Sequence, residues 1–429
     1  MKTFVNPLAN DWAEILRRPT LDLEEIEVKV KPILAKVQQE GDAALRHFAK
    51  AFDGVDLESL VVTEAEFEEA ESLVDQELKS AILTAKNNIE VFHQAQQSDV
   101  LKVETMPGVN CYRKSVAIEK VGLYIPGGTA PLFSTVLMLS VPAKIAGCKE
   151  IILCTPPNKE GKVHPAILYT AKAVGVTKMI KAGGAQAVAA LAFGTESVPK
   201  VHKIFGPGNQ YVTAAKQLVT KYGLAIDMPA GPSEVAVYAD ATANPAFVAS
   251  DLLSQAEHGV DSQVVLIASN QAIVDAVNKD VAVQVEQLPR AEFAKKALQN
   301  SVAIVAENEV EAIAILNEYG AEHLILSVDE PWRIADQISN AGSVFLGHYT
   351  PESAGDYASG TNHTLPTNGY AKTYSGVSLD SYIKKITYQE ISKEGLKVLG
   401  PIVEKMAAAE ELEAHKNAVT LRLKSLKDV

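Results

Sequence analysis

The sequence predicts an α/β protein with two doubly wound, mostly parallel sheets, helices on both faces of each sheet, and small helical segments at the two ends. Short β-branched runs alternate with amphipathic stretches from Val121 onward, glycines stand at the crossovers, and the same rhythm begins again after Gly231. At 429 residues the chain exceeds one ordinary hydrophobic core, so we expect two or more domains.

The first hundred residues have the periodicity of helices. Apolar side chains recur at three- and four-residue steps in LDLEEIEVKVKPILAKVQQEG and in TEAEFEEAESLVDQELKSAILTAKNNIEVFHQ, and acidic faces lie between them. We find no residues in this region that are arranged for chemistry. The region is therefore expected to be helical and structural.

Five short apolar runs in the middle of the chain are predicted to form the first parallel sheet. They are VGLYIP, EIILCTPP, TKMIKAGG, VHKIFGPG and LAIDMP. After Gly231 a second series predicts another sheet: EVAVYAD, SQVVLIAS, SVAIVAE, HLILSVD and SVFLG. The two series share no clear residue-level repeat, so only the architecture suggests a duplication.

A long polar segment follows Gly347. The stretch HYTPESAGDYASGTNHTLPTNGYAKTYSG is rich in Gly, Ser, Thr and Asn and is too long for a simple connector, which is typical of a functional loop. Beyond it, DSYIKKITYQEIS and GLKVLGPIVEKMAAAEELEAHKNAVTLRLKSL are interpreted as a small helical tail.

Charge and composition restrict the partners and the location. The formal net charge of -13 repels polyphosphate, which argues against a nucleic-acid partner. We see no signal-peptide pattern and no apolar run long enough for a bilayer, so we expect no membrane association and a cytoplasmic location. The three cysteines lack CxxC spacing, so any metal ligands should be imidazole, carboxylate or amide groups.

The segment NPAFVASDLLSQAEHG predicts a helix with Asn244 as its N-cap and Gly259 just past its end. Gln255 and His258 are three residues apart, so they point from one face and could share a metal ion. The alternative is a solvated Gln255 and a His258 that interacts with the last carbonyls of the helix. Two residues alone do not make a metal site.

Glu322 and His323 lie directly before the apolar strand LILSV, at a helix-to-strand turn on the sheet rim. An adjacent carboxylate and imidazole can divide acid–base work, because a histidine titrates near neutral pH and the carboxylate can orient it or activate water. Taken alone, a salt bridge at the rim explains the pair equally well.

Three further residues could contribute to a site. Asp356 follows a glycine in the long polar segment and could be an oxygen ligand, or could support a turn through its own backbone. His363 lies in the same segment. His415 belongs to the helical tail, where in isolation a surface salt bridge is its simpler role.

Glycine-bearing turns close several strands of the first sheet. The turns YIPGG, GGAQ, GPGN and AGPS should meet at strand carboxyl ends, where open α/β sheets hold ligands. A dinucleotide is the obvious candidate, but the full G-x-G-x-x-G is missing because Gly206 and Gly208 are followed by Tyr211. Glycines that serve only tight turns remain an alternative.

Taken together, several long motifs resemble the histidinol dehydrogenase family. In chain order they are GLYIPGGTAPLFSTVLML, GGAQAVAALAFGTESVPKV, IFGPGNQYVTAAK, IDMPAGPSEV, DLLSQAEHG, YGAEHLI, GSVFLG, ESAGDYASGTNH and AHKNAVTLR. The resemblance runs from about Val121 to Leu421. It implies oxidation of L-histidinol through L-histidinaldehyde to L-histidine, with two NAD+, one water and one zinc ion, in an intertwined homodimer of Rossmann-like sheets.

The resemblance also assigns roles to individual residues. It implies Glu322 and His323 as the acid–base pair, and a zinc site made of Gln255, His258, Asp356 and His415, with His415 donated across the dimer. The implied substrate contacts are Ser233, His363 and Glu410, beside His323 and the zinc ligands. The implied NAD contacts are Tyr124, Gln186 and Asn209.

We expect a division into domains that follows these roles. Residues 1–20 would be an N-terminal helical segment, and 21–122 with 236–377 a first α/β domain that carries most zinc and catalytic residues. Residues 123–235 would bind NAD, and 378–429 would reach the partner's site. Two other functions are a zinc-dependent hydrolase, which leaves the glycine-rich crevice unexplained, and a silent scaffold, which should have lost polar site residues.

Overall fold

The structure is a computed structural model, and it describes residues 1–19, 23–127 and 130–426. The α-helices of the described residues are α1 (Trp12–Ile15), α2 (Leu23–Glu40), α3 (Asp42–Phe48), α4 (Glu64–Leu73), α5 (Gln76–Gln94), α6 (Phe133–Ala146), α7 (Pro165–Val174), α8 (Gly184–Phe193), α9 (Gln210–Val219), α10 (Pro245–Ala256), α11 (Gln271–Gln284), α12 (Ala291–Gln299), α13 (Glu309–Tyr319), α14 (Pro331–Ala335), α15 (Glu352–Tyr357), α16 (Lys393–Ala409) and α17 (Glu413–Ser425).

The strands of the same residues are β1 (Lys2–Val5), β2 (Leu101–Met106), β3 (Val109–Ala117), β4 (Lys120–Tyr124), β5 (Glu150–Thr155), β6 (Lys178–Lys181), β7 (Lys203–Phe205), β8 (Ala225–Ile226), β9 (Glu234–Ala239), β10 (Gln263–Ala268), β11 (Val302–Val305), β12 (His323–Ser327), β13 (Ser343–Leu346) and β14 (Ile383–Ile391). The expected boundary after residue 20, and Gly128 of the first glycine turn, lie outside the described residues.

The chain divides into two compact units. The first contains Met1–Ala95 and Ile118–Tyr382, and the second contains Gln96–Ala117 and Ile383–Val429. Among the described residues, no helix has both the length and the apolar character that crossing a membrane requires. Cys111, Cys148 and Cys154 are free cysteines.

Two parallel sheets form the first unit, which confirms the predicted fold class. The six-stranded sheet has the order β1-β11-β10-β9-β12-β13, and the five-stranded sheet has the order β6-β5-β4-β7-β8. Every residue of β9 and β10 is buried, as expected for strands covered by helices on both faces. These strands therefore lack the polar alternation of a half-exposed sheet.

Strand order is shared by the two sheets. If β4 to β8 are numbered one to five, their order is 3-2-1-4-5, and β9 to β13 repeat this order with β1 added beside β11. In each sheet the winding reverses between the first and fourth strands, β4 and β7 or β9 and β12. This common topology supports the duplication that the sequence could only suggest.

The N-terminal helices pack on the five-stranded sheet. Helix α2 contacts α8 and α9, while α4 and α5 contact α7 and α6. Apolar side chains of these N-terminal helices, for example Leu45 of α3 and Ile89 of α5, belong to the cores beside that sheet. This packing differs from the expected grouping, in which residues 21–122 accompany the six-stranded sheet. The division of the two sheets into separate domains stays a prediction.

Two strands lie in segments that were predicted to be helical, one in the tail and one at the N-terminus. The stretch DSYIKKITYQEIS was expected to be helical, but Ile383–Ile391 is β14, paired antiparallel with β3 in a three-stranded sheet of the second unit. Its Ile, Thr and Tyr side chains favour a strand, and pairing with β3 stabilises that conformation. Lys2–Val5 likewise forms edge strand β1, whereas α16 and α17 confirm the rest of the tail.

Candidate active site

The predicted acid–base residues, Glu322 and His323, lie at the amino edge of the six-stranded sheet. Helix α13 ends at Tyr319, Gly320 follows with φ +58, and β12 begins at His323, which confirms the predicted helix-to-strand turn. However, both side chains are buried rather than exposed on a rim, with exposed fractions of 7% for Glu322 and 3% for His323. The predicted acid–base pair is thus shielded from water at the start of a central strand.

The surroundings of Glu322 hold its carboxyl in place. Its Oε2 accepts a hydrogen bond of 3.0 Å from the backbone N–H of Glu234, the first residue of the neighbouring strand β9. The same oxygen lies 3.7 Å from Nδ1 of His323. Burial raises the pKa of Glu322 to about 8, despite the opposing effect of His323. The carboxyl can therefore exchange a proton near neutral pH.

Three carboxyl groups surround His323. Its Nε2 lies 3.3 Å from Oδ1 of Asp356. Burial lowers the pKa of His323, but the charges of Glu352, Glu322 and Asp356 outweigh this effect and raise the pKa to about 10. Burial raises the pKa of Asp356, but the nearby His323 outweighs this effect and lowers the pKa below its ordinary value. In the protein alone, this cluster thus favours a protonated imidazole.

Helices α10 and α15 bring the predicted metal ligands to the same edge. Asp356 lies on the short helix α15 rather than in a loop, because the 6 residues that follow Pro351 are helical. Gln255 is fully buried near the end of α10, which contacts α15, and neither of its amide atoms has a hydrogen-bond partner among the described residues. His258 follows just after α10 and is exposed.

Unpartnered polar atoms indicate that something else binds here. A buried amide without a partner costs free energy, so the atoms of Gln255 are suited to a ligand outside the described chain. His323, Glu352 and Asp356 each offer a ligand atom within 4.8 Å of the others, which fits a divalent cation. The amide, carboxylate and imidazole donors are also the kinds that zinc accepts. Only Asp356 belongs both to this trio and to the ligand set implied by resemblance.

His363 links the cluster to the helix that follows β4. Its Nδ1–H donates to the backbone carbonyl of Asp356 at 2.8 Å, so its Nε2 can accept from the Thr135 hydroxyl at 3.1 Å on α6. Burial lowers the pKa of His363, which favours the neutral imidazole. Its ring is therefore fixed in one tautomer beside the acid–base pair.

Of the three other predicted substrate or metal residues, one lies beside β9 and two belong to the second compact unit. Ser233 directly precedes β9, close in the chain to the backbone that binds Glu322. Glu410 follows α16 and His415 lies on α17; both are exposed and belong to the second compact unit. The first unit by itself therefore does not assemble the complete set implied by resemblance.

The predicted NAD contacts line one cavity of about 990 Å³. Tyr124, Gln186 and Asn209 reach it from the carboxyl edge of the five-stranded sheet, together with Gly127, Gly183 and Gly184. Its volume is typical of small-molecule and cofactor sites. The cavity thus lies where a doubly wound sheet holds its ligand.

Local hydrogen bonds shape this cavity. The backbone N–H of Gly184 donates to the Tyr124 hydroxyl at 3.1 Å, and burial raises the pKa of that phenol to about 12. Asn209 caps α9 by accepting from the N–H groups of Tyr211 and Val212. Gly206 has φ +125, and a Cβ there would lie 2.1 Å from the carbonyl oxygen of Tyr124, so only glycine fits.

Two carboxyl groups in or near these sites were missed by sequence reasoning. Glu352 is 1% exposed, neither of its oxygens has a hydrogen-bond partner among the described residues, and burial raises its pKa well above the ordinary value. Its four-residue spacing to Asp356 was the available signal, hidden because the segment was interpreted as a loop. Asp53, from the region expected to be purely structural, lines the same cavity as the predicted NAD contacts.

Comparisons with known proteins agree with this arrangement. The family model described as histidinol dehydrogenase matches residues 16–423. A histidinol dehydrogenase of Bacteroides thetaiotaomicron is 62% identical over 427 residues, covering 100% of both chains. A chloroplastic histidinol dehydrogenase of Arabidopsis thaliana is 51% identical and covers 99% of this chain and 92% of its own.

A solved structure extends the agreement to the backbone. The crystal structure of histidinol dehydrogenase from Elizabethkingia anophelis has a TM-score of 0.98 and 54% identity, covering 100% of this chain and 99% of that chain. The family match, the full-length relatives and the solved structure all lead to the same assignment. This chain belongs to the histidinol dehydrogenase family.

Proposed function

We infer that the chain acts as a histidinol dehydrogenase, which oxidises L-histidinol through L-histidinaldehyde to L-histidine at the end of histidine biosynthesis. Family membership over nearly the whole chain supports this function. One structural observation carries it: the buried pair Glu322 and His323 lies in one cluster with Asp356, at the sheet edge that also receives the unpartnered amide of Gln255. The cluster offers acid–base groups and ligand atoms together.

The proposal includes one zinc ion per subunit and two NAD+ for each L-histidinol oxidised. The residues fit a zinc ion, and those that would hold it are Gln255, His258, Asp356 and His415. Tyr124, Gln186 and Asn209 would contact NAD+. When bound, NAD+ supplies the hydride acceptor and zinc supplies a positively charged template for the substrate's nitrogen atoms.

His323 is proposed to take the hydroxyl proton of L-histidinol in the first oxidation. Its imidazole must be neutral for this step, and its pKa would fall from about 10 once the charge of Asp356 is shared with a bound cation. His363 and Ser233 would orient the substrate beside it. Burial of the ring excludes water from the proton transfer.

Glu322 is proposed to act in the second half of the reaction. It would take a proton from the water that adds to L-histidinaldehyde, and the hydrated aldehyde is then oxidised to the acid. Its pKa of about 8 suits exchange of that proton near neutral pH. The hydrogen bond from the backbone of Glu234 fixes the carboxyl for this task.

A direct assay tests the function. Purified, zinc-loaded protein is incubated with L-histidinol and NAD+, and NADH is followed by absorbance with and without a chelator. We expect two NADH per histidinol and loss of the signal after metal removal. Absence of NADH in the metal-loaded protein would overturn the proposal. The alternative of a zinc-dependent hydrolase predicts no NADH and leaves the NAD cavity unexplained.

We also propose a homodimer in which His415 and Glu410 serve the partner's site. Their exposure on the second unit leaves both side chains available to another subunit. Mixing His323→Ala with His415→Ala, each inactive alone, should restore about a quarter of the wild-type activity after random subunit exchange, because one site in each mixed dimer is complete. No recovery despite demonstrated exchange would contradict a shared site. The cytoplasmic location stays a prediction.

A further inference from the structure

We propose that Asp53 recognises the adenosine ribose of NAD+ and sets a preference for NAD+ over NADP+. The proposal rests on the cofactor cavity described above. It adds a specificity-determining residue from the helical layer, outside every motif that led to the family assignment.

Asp53 is held at the cavity wall by its local backbone. It is the last residue of a π-helical turn, Ala49–Asp53, and Gly54 follows in the left-handed conformation with φ +71. The residue lines the same cavity as Tyr124, Gln186 and Asn209. Its carboxyl group is therefore within the pocket that the proposed NAD contacts define.

One oxygen of the Asp53 carboxyl has no protein donor in the part of the chain that the structure describes. Its Oδ2 is buried and has no hydrogen-bond partner among the described residues, and burial raises the pKa of the group. A buried carboxylate oxygen without a partner is costly, so a ligand that donates hydrogen bonds relieves this cost. The ligand should therefore present hydroxyl or amide donors at this wall.

A ribose is the part of NAD+ that best fits this requirement. In doubly wound sheets an acidic residue at the end of the second strand commonly accepts from the ribose hydroxyls. Here the second strand is β5, which ends at Thr155 and continues with Pro156, Pro157 and Asn158, so no carboxylate stands there. Asp53 supplies one to the same cavity from the helical layer.

Both positively and negatively charged side chains line the cavity. Lys29 and Lys159 line the cavity with exposed side chains and can face a pyrophosphate. Lys162 also lines it but is already paired with Glu69 at 2.7 Å. The phosphates of NAD+ are repelled by Asp53, and a phosphate on the ribose 2′-oxygen would be placed against it. Asp53 thus favours a ribose with free hydroxyls.

Calorimetric titration of the zinc-loaded, full-length protein tests this without turnover. Wild type and Asp53→Asn are titrated with NAD+, with NADP+, and with an NAD+ analogue that lacks the adenosine 2′-hydroxyl. Wild type should bind the deoxy analogue about tenfold more weakly than NAD+, because a hydrogen bond to a charged group is lost. Asp53→Asn should bind NAD+ about tenfold more weakly than wild type and should no longer distinguish the analogue.

Asp53→Asn should also reduce the ratio of the affinities for NAD+ and NADP+ by about tenfold. Removing the negative charge of Asp53 removes its repulsion of the 2′-phosphate of NADP+. Asp56→Asn is the matched control. Its carboxylate lies three residues away, is exposed and pairs with Lys50 at 2.8 Å, so NAD+ affinity should match wild type. Far-UV circular dichroism checks the folding of each variant.

The outcomes distinguish the two proposals. If wild type makes NADH from histidinol but Asp53→Asn binds all three nucleotides as wild type does, the role of Asp53 is wrong and the function stands. The same conclusion follows if wild type binds the deoxy analogue as well as NAD+, a comparison that needs no variant. If wild type neither binds NAD+ nor produces NADH, the proposed function fails and the role of Asp53 fails with it.

Discussion

The two parallel sheets have the same strand order but present their functional groups at opposite edges. In the five-stranded sheet the proposed cofactor cavity lies at the carboxyl ends of β4, β5, β6 and β7, where other doubly wound sheets hold their ligands. In the six-stranded sheet Glu322 and His323 lie at the amino end of β12, beside the start of β9. The same topology therefore does not dictate which edge carries the chemistry.

A series of hydrogen bonds connects the carboxyl edge of the five-stranded sheet with the amino edge of the six-stranded sheet. Thr135, on the helix that leaves the carboxyl end of β4, contacts His363, and His363 donates to the backbone of Asp356 next to His323. The carboxyl edge of one sheet thus meets the amino edge of the other. An oxidation that transfers a hydride needs cofactor and acid–base groups close together, and the proposed placement of NAD+ and of the acid–base pair on either side of these contacts is consistent with that need.

The carboxyl edge of the six-stranded sheet shows the contrast most clearly. There, Ser327 and Thr242 hydrogen-bond the two ring nitrogens of His348, at 3.0 and 3.1 Å, and the Thr242 hydroxyl donates to Asp240 at 2.5 Å. These side chains partner one another, whereas Gln255 and Glu352 near the amino edge have no partners among the described residues. Partnered polar groups stabilise a fold, while unpartnered buried groups indicate a ligand.

The largest expected effect comes from comparing histidines at the two edges of this sheet. His323→Ala should lower kcat for histidinol by about a thousandfold, because a positioned general base contributes that much. NAD+ affinity should be unchanged, since the cofactor cavity lies at the other sheet. His348→Ala is the matched control and should keep near wild-type kcat. Steady-state NADH formation and NAD+ titration measure both, and equal losses in the two variants would contradict the assignment of edges.

The ion pair that anchors β9 predicts a stability effect at the same amino edge. Arg18 donates to both oxygens of the buried Glu234, at 2.5 and 3.0 Å, and to the carbonyl of Tyr319. Arg18→Ala leaves a buried carboxylate unpaired and should lower the free energy of unfolding by about 3–5 kcal/mol in urea titrations. The exposed neighbour Arg17 is the control, with a change within about 0.5 kcal/mol for Arg17→Ala. Equal free energies of unfolding for the two variants would show that the ion pair of Arg18 and Glu234 does not anchor β9.

Glu322→Gln should separate the two oxidations. Conversion of added L-histidinaldehyde to L-histidine should slow by about a hundredfold, while oxidation of histidinol to the aldehyde slows far less, because only the second half needs a carboxylate to activate water. The amide oxygen can still accept from the backbone of Glu234. Single-turnover measurements of the two steps provide the comparison, and equal effects on both would refute the division of labour.

A smaller effect is expected from Glu352→Gln. Because Glu352 offers an oxygen within 4.8 Å of the ligand atoms of His323 and Asp356, a bound cation would favour its ionised form, and this carboxylate should help to hold the metal. The variant should lose zinc to a chelator at about tenfold lower chelator concentration than wild type. Glu68→Gln, on an exposed face of α4, should retain zinc normally. Unchanged zinc retention in Glu352→Gln would exclude a role for this carboxyl in the metal centre.

Much of the fold could be predicted because parallel strands buried on both faces have continuous apolar runs, as in EVAVYA and QVVLIA. Strand β14 could not, because lysine, glutamine and glutamate interrupt its apolar residues, and only pairing with β3 makes it a strand. Strand order was also beyond sequence reasoning. It depends on which strands pair across long separations.

The candidate site shows a similar limit. Motifs identified Glu322, His323 and Asp356, and the structure brings these three together. Glu352 escaped attention because its segment has the composition of a loop, so its helical spacing to Asp356 was not considered. Asp53 escaped because the cavity it lines is formed mostly by residues far away in the sequence, such as Tyr124, Gln186 and Asn209.

Locating the zinc and the substrate tests the use of opposite sheet edges most directly. A crystal structure of the zinc-loaded protein with L-histidinol and NAD+, recorded at the zinc absorption edge, would show both. We expect the zinc peak beside Asp356 and Gln255, histidinol against His323, and NAD+ in the cavity beside Tyr124 and Asn209. Zinc or histidinol bound beside Asp240 and His348, at the carboxyl edge of the six-stranded sheet, would contradict the account.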